Sequence, residues 1–305
     1  MPDPTPVAGF LNLAKPRGPT SHDVVARARR LTGVRRVGHA GTLDPLATGV
    51  LVLALGPATR LLEYVASGEK VYRATIRLGS TTTTDDAEGT VTATRPLAVG
   101  RADIAATLPQ FVGEIAQRPP AFSAVQVGGR RAYDLARRGA AVELPARQVR
   151  IARLTVLGWQ APDLTLEVTC GPGTYIRSLA RDLGAALGCG GHLTGLVRTR
   201  SGGFSLAAAT ALADLEHHAA RCTWHSLLVA PTAALAHLPA MTVTPQGGTL
   251  LRQGQPVSSA HLLPDVPAAA RTDNPVCVLD AEGRLIAIAA YDPQRDCWRP
   301  RKVVG

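Results

Sequence analysis

One carboxylate in this chain lies in a turn that combines glycines with an Asp-Pro step. The segment from Gly38 to Gly49 reads GHAGTLDPLATG and precedes the apolar run Val50 to Leu55. Such a run between glycines is typical of a short strand covered on both faces. Pro45 disfavours helical angles at Asp44, so we expect the acid on a stiff loop at a strand mouth, where catalytic groups often lie. A turn that merely reverses the chain is the alternative.

A second charged residue, Arg177, is predicted in the first turn of a helix. Thr174 is a suitable N-cap after a Gly-Pro-Gly turn, and the apolar stripe from Ile176 to Leu187 predicts a helix that ends near Gly188. A cation there faces the positive end of the helix dipole, at a cost of roughly a few tenths of a kcal/mol when exposed. A nearby anion would offset this cost, and Asp44 is the candidate.

Alternating apolar residues predict the strands that position these groups. Residues 71–78 and 164–170 both alternate, which favours antiparallel pairing in a sheet with one covered face. Tyr72 leads the buried face of the first of these strands. A tyrosine at a strand start is either a core aromatic or an active-site group, and its sequence position alone leaves both interpretations open.

The remaining elements are short. Thr20 to Asp23 supplies capping side chains for a basic helix that stops at Gly33. Further predictions are a loop at 81–89, a strand near 90–93, a helix at about 102–108, and strands at 276–280 and 285–291 joined by a turn at 281–283. Residues 119–149, with a short helical segment from Tyr133 to Arg138, are predicted to leave the sheet as an excursion.

Composition narrows the class of protein. The chain of 305 residues is 46% hydrophobic and 18% charged. It contains no signal-peptide pattern and no apolar run long enough to span a bilayer, so a soluble cytoplasmic protein is expected. Its net charge of +10 comes from 33 basic and 23 acidic residues and suits a polyanionic partner, although a GC-rich genome would also favour arginine. Residues 15–36 and 130–153 are the most basic stretches.

Cysteine and histidine usage suggests neither disulfides nor a metal. The five cysteines are scattered without Cys-x-x-Cys spacing and are predicted to be reduced packing residues. His217, His218, Cys222 and His225 have ligand-compatible spacing, but surface histidines beside one buried cysteine explain them better. No metal site is assigned.

Motifs over nearly the whole chain resemble the TruB family of tRNA pseudouridine synthases. Every fixed position of that family's motif Gly-His-x-Gly-x-Leu-Asp-Pro-x-Ala-x-Gly is present at Gly38 to Gly49. The other matching segments are 15–21, 72–73, 82–89, 119–124, 131–139, 173–179 and 192–198. Thr83 and Gln126 depart from the family pattern, where Asp and Lys are usual, so altered loop contacts and a missing phosphate contact are expected.

The resemblance implies a role for several residues. Asp44 would be the catalytic nucleophile or base, Arg177 would keep it ionised and oriented, and Tyr72 would stack on the uracil and help to remove the C5 proton. Substrate-binding roles are implied for a further set. These residues are His39, which would fill the gap left by the flipped nucleotide, Leu196, which would close the base pocket, Tyr175, and Lys15 and Arg60, for which ordinary surface charge is an equal alternative.

The implied fold is α+β, with a mixed, mainly antiparallel central sheet flanked by helices and loops. We expect a catalytic domain over 1–238 with a thumb-like insertion at about 119–149, and a small β domain over 239–305 that resembles the PUA-type RNA-binding module and ends in a basic tail. The expected partner is tRNA, bound at its T-loop elbow, and the protein is expected to be a monomer. No cofactor and no membrane are expected.

The implied reaction is isomerisation of uridine to pseudouridine in the tRNA T-loop, at position 55 by family analogy, with the target base flipped out of the RNA. A tRNA-folding role could accompany it. Two alternatives stand beside this hypothesis: an RNA-binding or RNA-folding protein without chemistry, and a guide-RNA-dependent synthase of the dyskerin type. The insertion at 119–149 favours the stand-alone enzyme over the guide-dependent one.

Overall fold

The structure is a computed structural model that describes residues 7–123, 125–127, 130–131, 133, 144–264 and 266–304. Its strands are β1 Gly9–Lys15, β2 Val37–His39, β3 Thr48–Leu55, β4 Lys70–Leu78, β5 Ser80–Thr82, β6 Val91–Thr94, β7 Gly113–Gln117, β8 Gln126–Val127, β9 Arg130–Arg131, β10 Arg147–Gln160, β11 Asp163–Cys170, β12 Gly191–Ser201, β13 Phe204–Ser205, β14 Thr210–Ala211, β15 Ala240–Thr242, β16 Val276–Leu279, β17 Leu285–Asp292 and β18 Cys297–Val303. Its α-helices are α1 Ser21–Thr32, α2 Leu62–Ala66, α3 Arg101–Thr107, α4 Ile176–Ala186, α5 Leu212–Ala220, α6 Pro231–Ala234 and α7 Pro245–Arg252.

A large mixed sheet forms the centre of the molecule. Its strand order is β14-β1-β3-β12-β4-β11-β10-β7, with β2 added on β3 and β13 on β12. Pairing is antiparallel except for β1 with β14 and β12 with β3. The predicted α+β class with a mixed, mainly antiparallel sheet is therefore confirmed. No helix in the described part of the chain is long and apolar enough to cross a membrane.

Local sequence explains the helix that precedes the Asp44 loop. Thr20 and Asp23 form a reciprocal capping box at the start of α1, and Gly33 ends it with a φ of 70°. Because a left-handed residue at this position carries no Cβ penalty when it is glycine, the stop is sharp. The predicted start and end of this helix are both confirmed.

Strand β3 has two buried faces that belong to different cores. Leu51, Leu53 and Leu55 point into the main core, together with the apolar residues of β4, β11 and α4. The even-numbered residues Val50 to Ala54 point the other way, into a second cluster that includes Ile288 and Val304 from the C-terminal end of the chain. The alternating side chains of one strand thus connect the main sheet to the C-terminal segment.

The C-terminal segment forms a small sheet of its own, in the order β15-β16-β17-β18. The residues of the expected basic tail lie mostly on β18, where they pair with acidic side chains. Arg299 contacts Asp292, Arg301 contacts Asp273, and Lys302 contacts Glu63 of helix α2. Edge pairing of β18 with β17 holds them in the sheet.

The segment predicted as an excursion is described only in part. Residues 126–127 and 130–131 pair as the two-stranded ribbon β8-β9, and β10 already begins at Arg147 and pairs with β7. The last residues of the predicted insertion therefore belong to the main sheet. The helical segment predicted from Tyr133 to Arg138 lies outside the described residues, except for Tyr133 itself.

Candidate active site

Asp44, in the loop before β3, contacts Arg177, in the first turn of α4. The Arg177 Nε lies 2.9 Å from Asp44 Oδ2, and its Nη2 donates to Asp44 Oδ1 at 3.2 Å. This bidentate geometry orients the carboxylate as well as pairing its charge. The Arg177 side chain is 7% exposed, whereas that of Asp44 is 35% exposed. The arginine thus binds one side of the carboxylate and leaves another side exposed to solvent.

Arg177 also holds two other loops. Its Nη1 donates to the carbonyl of Thr84 at 3.3 Å and lies 3.6 Å from the buried carboxylate of Asp86, while its Nη2 donates to the carbonyl of Phe122 at 2.9 Å. Asp86 is held in turn by the Thr84 hydroxyl at 2.5 Å. The arginine therefore links the Asp44 loop to the 82–89 loop and to the first residues of the 119–149 segment.

Helix α4 begins one residue later than predicted. Tyr175, not Thr174, is the N-cap, and no side chain of its own caps the helix. Gln117 at the end of β7 binds Tyr175 instead: Gln117 Oε1 accepts from the Tyr175 amide at 2.7 Å and Nε2 donates to its carbonyl at 3.0 Å. The Thr174 hydroxyl donates to Gly171 at 3.1 Å, so it stabilises the preceding turn. A residue distant in sequence therefore binds the backbone at the start of the helix, where a local capping side chain was expected.

Two buried cations fix the backbone of the Asp44 loop. Lys15 is 2% exposed, and its Nζ donates to the carbonyl of Ala47 at 2.7 Å. Burial lowers the pKa of Lys15 from its usual 10.5 to about 8, opposed by the nearby Asp44 carboxylate. Arg198 donates to the carbonyls of Gly41 at 3.0 Å and Val50 at 2.7 Å.

The end of this loop requires glycine at Gly49. Its φ is 101°, and a Cβ built there would lie 2.2 Å from the Arg198 carbonyl oxygen. The parallel pairing of β3 with β12 brings these two backbones together. The loop can join β3 next to β12 only if no side chain stands between them.

Tyr72 and Leu196 lie on neighbouring strands and share a face of the sheet. Leu196 pairs with Ala74, two residues beyond Tyr72 on β4, while Arg198 pairs with Tyr72 itself. Tyr72 and Leu196 are both buried in the main core. Burial raises the pKa of the Tyr72 hydroxyl, which the Arg198 cation opposes, so the phenol is protonated at neutral pH. The electrostatic influence of Asp44 also reaches this hydroxyl.

The other predicted substrate-binding residues fall into three environments. His39 is half-buried on β2; burial and the Arg198 cation lower its pKa, so the ring is neutral at pH 7. Tyr175 packs on Val125 and Leu144 at the root of the insertion. Arg60 donates to the carbonyl of Val303 at 2.9 Å and therefore lies at the small sheet, not at the Asp44 loop.

No role was expected for Asp86 or Arg198, although both lie in the motifs that carried the resemblance. An arginine at an inward position of an apolar strand was the available signal for Arg198. Such a residue is rarely buried unless its donors are bonded. Asp86 had no comparable signal, because one acid in a polar loop is ordinarily solvated.

The histidine–cysteine cluster does not form a ligand set. Among the described residues, no group of three or more His, Cys, Asp or Glu side chains could hold a metal ion. His218 bonds to the Thr223 hydroxyl at 2.9 Å, and the His225 ring stacks on Trp224 with centroids 3.8 Å apart. Cys222, expected to be buried, is exposed, whereas Cys170, Cys189, Cys277 and Cys297 are buried.

Comparisons with known proteins identify the family. The model of the TruB family pseudouridylate synthase N-terminal domain matches residues 29–176, and that of the tRNA pseudouridylate synthase B C-terminal domain matches residues 177–231. The first model ends and the second begins between Ile176 and Arg177. The fold and the family models place the chain among the pseudouridylate synthases.

The chain belongs to the TruB family. A protein of Synechococcus sp. named tRNA pseudouridine synthase B is 49% identical over 289 residues, which are 92% of this chain and 94% of that protein. A protein of the same name from Acaryochloris marina is 56% identical over 203 residues, 65% of this chain and 70% of that protein. Another from Trichormus variabilis is 48% identical over 254 residues, 81% of this chain and 85% of that protein.

Solved structures show the same fold. The archaeal box H/ACA sRNP Nop10-Cbf5 complex contains a chain that matches with a TM-score of 0.75 at 25% identity, over 97% of this chain and 86% of that chain. In a Cbf5-Nop10-Gar1 complex the TM-score is 0.76 at 28% identity, over 97% of this chain and 85% of that chain.

Proposed function

We propose that this protein isomerises uridine to pseudouridine in the T-loop of tRNA, at position 55 by family resemblance, with Asp44 as the reacting carboxylate. The observation that carries the proposal is the bidentate pair of Arg177 with Asp44, which leaves part of the carboxylate open at the mouth of β3. Curated relatives about half identical to this chain carry the name tRNA pseudouridine synthase B, which supports tRNA as the substrate.

The reaction rearranges one nucleotide without an oxidant or reductant. The bond between ribose C1′ and base N1 breaks, the uracil turns over, and a bond forms between C1′ and C5. The C5 proton then leaves, and N1 gains a proton. Asp44 supplies the carboxylate for the first step, either by attack at C1′ or by removal of a ribose proton with a glycal intermediate. Either route needs a carboxylate held in a fixed orientation, and the bidentate contact with Arg177 holds it.

Tyr72 and Leu196 form the base pocket in this proposal. The ring of Tyr72 stacks on the uracil, and the apolar side chain of Leu196, diagonal to it on β12, closes the other side. The neutral phenol can stack on the uracil without any proton transfer. A role of the hydroxyl in removing the C5 proton requires its own proton to move first, so Tyr72→Phe separates the two roles by allowing C–C bond formation but delaying product release.

Reaching a uridine inside a folded T-loop requires extrusion of the base, which costs a few kcal/mol that phosphate and stacking contacts must offset. The neutral ring of His39 would occupy the vacated place in the RNA. Arg17, Arg30, Arg35 and Arg36 are exposed around helix α1 and suit phosphate contacts, since no ion pair engages them among the described residues. The small sheet over 240–303 is proposed as a second RNA contact, in line with its resemblance to a PUA module.

A mapping experiment tests the proposal. Unmodified tRNA transcript is treated with wild type, Asp44→Asn or Asp163→Asn, and pseudouridine positions are mapped. Asp163 is a matched control, since its side chain is also 35% exposed and Arg77 also binds it bidentately, on the surface of the sheet. We expect modification at one T-loop uridine with wild type and Asp163→Asn, and none with Asp44→Asn. Equal modification by all three proteins would refute the role of Asp44.

A guide-dependent enzyme is the second candidate, because the chains in the box H/ACA and Cbf5 complexes share this fold. The same experiment decides between the two. Purified protein that modifies tRNA alone acts without a guide. If pseudouridine forms only when other components are added, the stand-alone proposal fails. RNA binding without modification under both conditions would instead favour a protein that only binds or folds tRNA.

A further inference from the structure

Helix α4 carries a second arginine one turn beyond Arg177. The guanidinium of Arg181 donates to Asp85 Oδ2 at 2.9 Å, to Asp182 Oδ1 at 2.8 Å and to the carbonyl of Arg118 at 2.9 Å. The hydroxyl of Ser178 reaches the same Arg118 carbonyl at 2.8 Å. Both arginines therefore contact the same two segments, the 82–89 loop and the residues that enter the 119–149 insertion.

Asp85, which Arg181 contacts, has an unusual backbone conformation. It has a φ of 62°, a conformation that a residue other than glycine rarely adopts, and its side chain is 17% exposed. Burial raises the pKa of its carboxyl, while Arg181 and, more weakly, Arg177 oppose the shift and Asp182 reinforces it. The Asp85 carboxylate therefore interacts with both cations, and Arg181 is the closer partner.

The acidic groups near Arg177 are shared between two arginines. Arg177 contacts the carboxylates of Asp44 and Asp86, and Arg181 contacts those of Asp85 and Asp182. In a partly buried site an opposite charge within a few ångströms attracts strongly. If Arg181 were absent, the unpaired Asp85 carboxylate would have Arg177 as its remaining cation on α4 and would draw it away from Asp44.

We propose that Arg181 is a positioning residue for the isomerisation: by pairing with Asp85 it reserves Arg177 for Asp44, and by bonding the Arg118 carbonyl it fixes the root of the insertion. The inference rests on the proposed function. It differs from a purely structural role, because the harm done by losing Arg181 comes from the Asp85 charge and disappears when that charge is removed.

The test is a double-mutant comparison in single-turnover assays with tRNA. Arg181→Gln is expected to lower the rate of pseudouridine formation by roughly 10- to 100-fold, since small misplacements of catalytic groups have effects of this size. Its Kd for tRNA should stay within about threefold of wild type. Asp85→Asn alone should change the rate less than about threefold, because Asn tolerates the left-handed backbone and wild-type Arg181 retains its other two acceptors.

The decisive variant combines Arg181→Gln with Asp85→Asn and is expected to recover the rate to within about threefold of wild type. Arg181→Lys, which retains the charge, should also remain close to wild type and covers the case in which Arg181→Gln does not fold. The inference is overturned if Arg181→Gln retains full rate, if the double variant stays as slow as Arg181→Gln, or if Arg181→Lys is equally slow. A wild-type protein that forms no pseudouridine refutes the proposed function itself.

Discussion

The Asp44 loop and the small C-terminal sheet both use basic side chains, but in opposite ways. At the Asp44 loop, Lys15 and Arg198 are buried and donate to backbone carbonyls of a single loop. On the small sheet, Arg301 is exposed and Lys302 is half-buried, and both pair with exposed carboxylates. A buried donor fixes the backbone conformation, because its loss would leave each bonded carbonyl without a hydrogen-bond partner. An exposed pair is replaced by water at little cost.

The sharpest test of this contrast compares two glycines with positive φ. Gly49→Ala is expected to destabilise the protein by about 4 kcal/mol, since it adds left-handed strain to a clash with the Arg198 backbone. Gly283→Ala, in the turn between β16 and β17, meets open space at a φ of 77° and should cost about 1 kcal/mol. Urea denaturation measures both. Equal costs would show that the approach of β3 to β12 is not restrictive.

Arg198→Met is expected to have the next largest effect. The substitution removes the guanidinium donor from the carbonyls of Val50, which is buried, and Gly41, which is half-buried, at a cost of about 3 kcal/mol, and should slow pseudouridine formation as the loop loses its shape. Chemical denaturation and a single-turnover assay measure the two consequences. Retention of full stability would mean that water replaces the guanidinium, and that the loop is less closed than described.

Lys15→Met is expected to cost about 1 kcal/mol at pH 7 through the lost bond to Ala47, and the cost should grow with pH. The pKa of Lys15 is about 8 in the folded protein and 10.5 when unperturbed. Between these values the unfolded chain holds a proton that the folded protein has released, so wild-type stability rises with pH there relative to Lys15→Met. Denaturation of both proteins from pH 7 to 10.5 checks this; a constant difference would contradict it.

The smallest effect is expected for Arg301→Met. Its partner Asp273 is 94% exposed, so the loss should change the free energy of unfolding by less than about 0.5 kcal/mol. The same substitution at Arg198 is the matched comparison, because residue types are identical and only burial differs. A cost above about 1 kcal/mol at Arg301 would remove the distinction between the two regions.

Sequence patterns predicted those parts of the molecule that local chemistry determines. The capping box of α1, the alternation of β4 and β11, and the apolar strand β3 all follow from neighbouring residues, and the structure contains them. The contact expected between Arg177 and Asp44 is also present. It was predictable because a cation in the first turn of a helix favours a nearby anion. The roles of these residues in catalysis stay predictions.

Long-range contacts account for what was missed. Gln117 replaces Thr174 in binding the start of α4 although 58 residues separate it from Tyr175. Arg60 looked equally suited to the Asp44 loop, but the packing of the small sheet against α2 brings Val303 to it instead. Neither contact leaves a periodic pattern, since each depends on how separate elements pack.

The double-sided burial of β3 has a mechanical consequence. Its even-numbered side chains lie in an apolar cluster that also contains residues of the small sheet, and the strand begins four residues after Asp44, so packed side chains connect the loop of the carboxylate to that sheet. If RNA binds both at the Asp44 loop and at the small sheet, the protein would hold the two contact sites at a fixed distance from each other. An RNA whose two contact points are spaced differently would have to bend to reach both, and its stiffness would then become part of how it is selected.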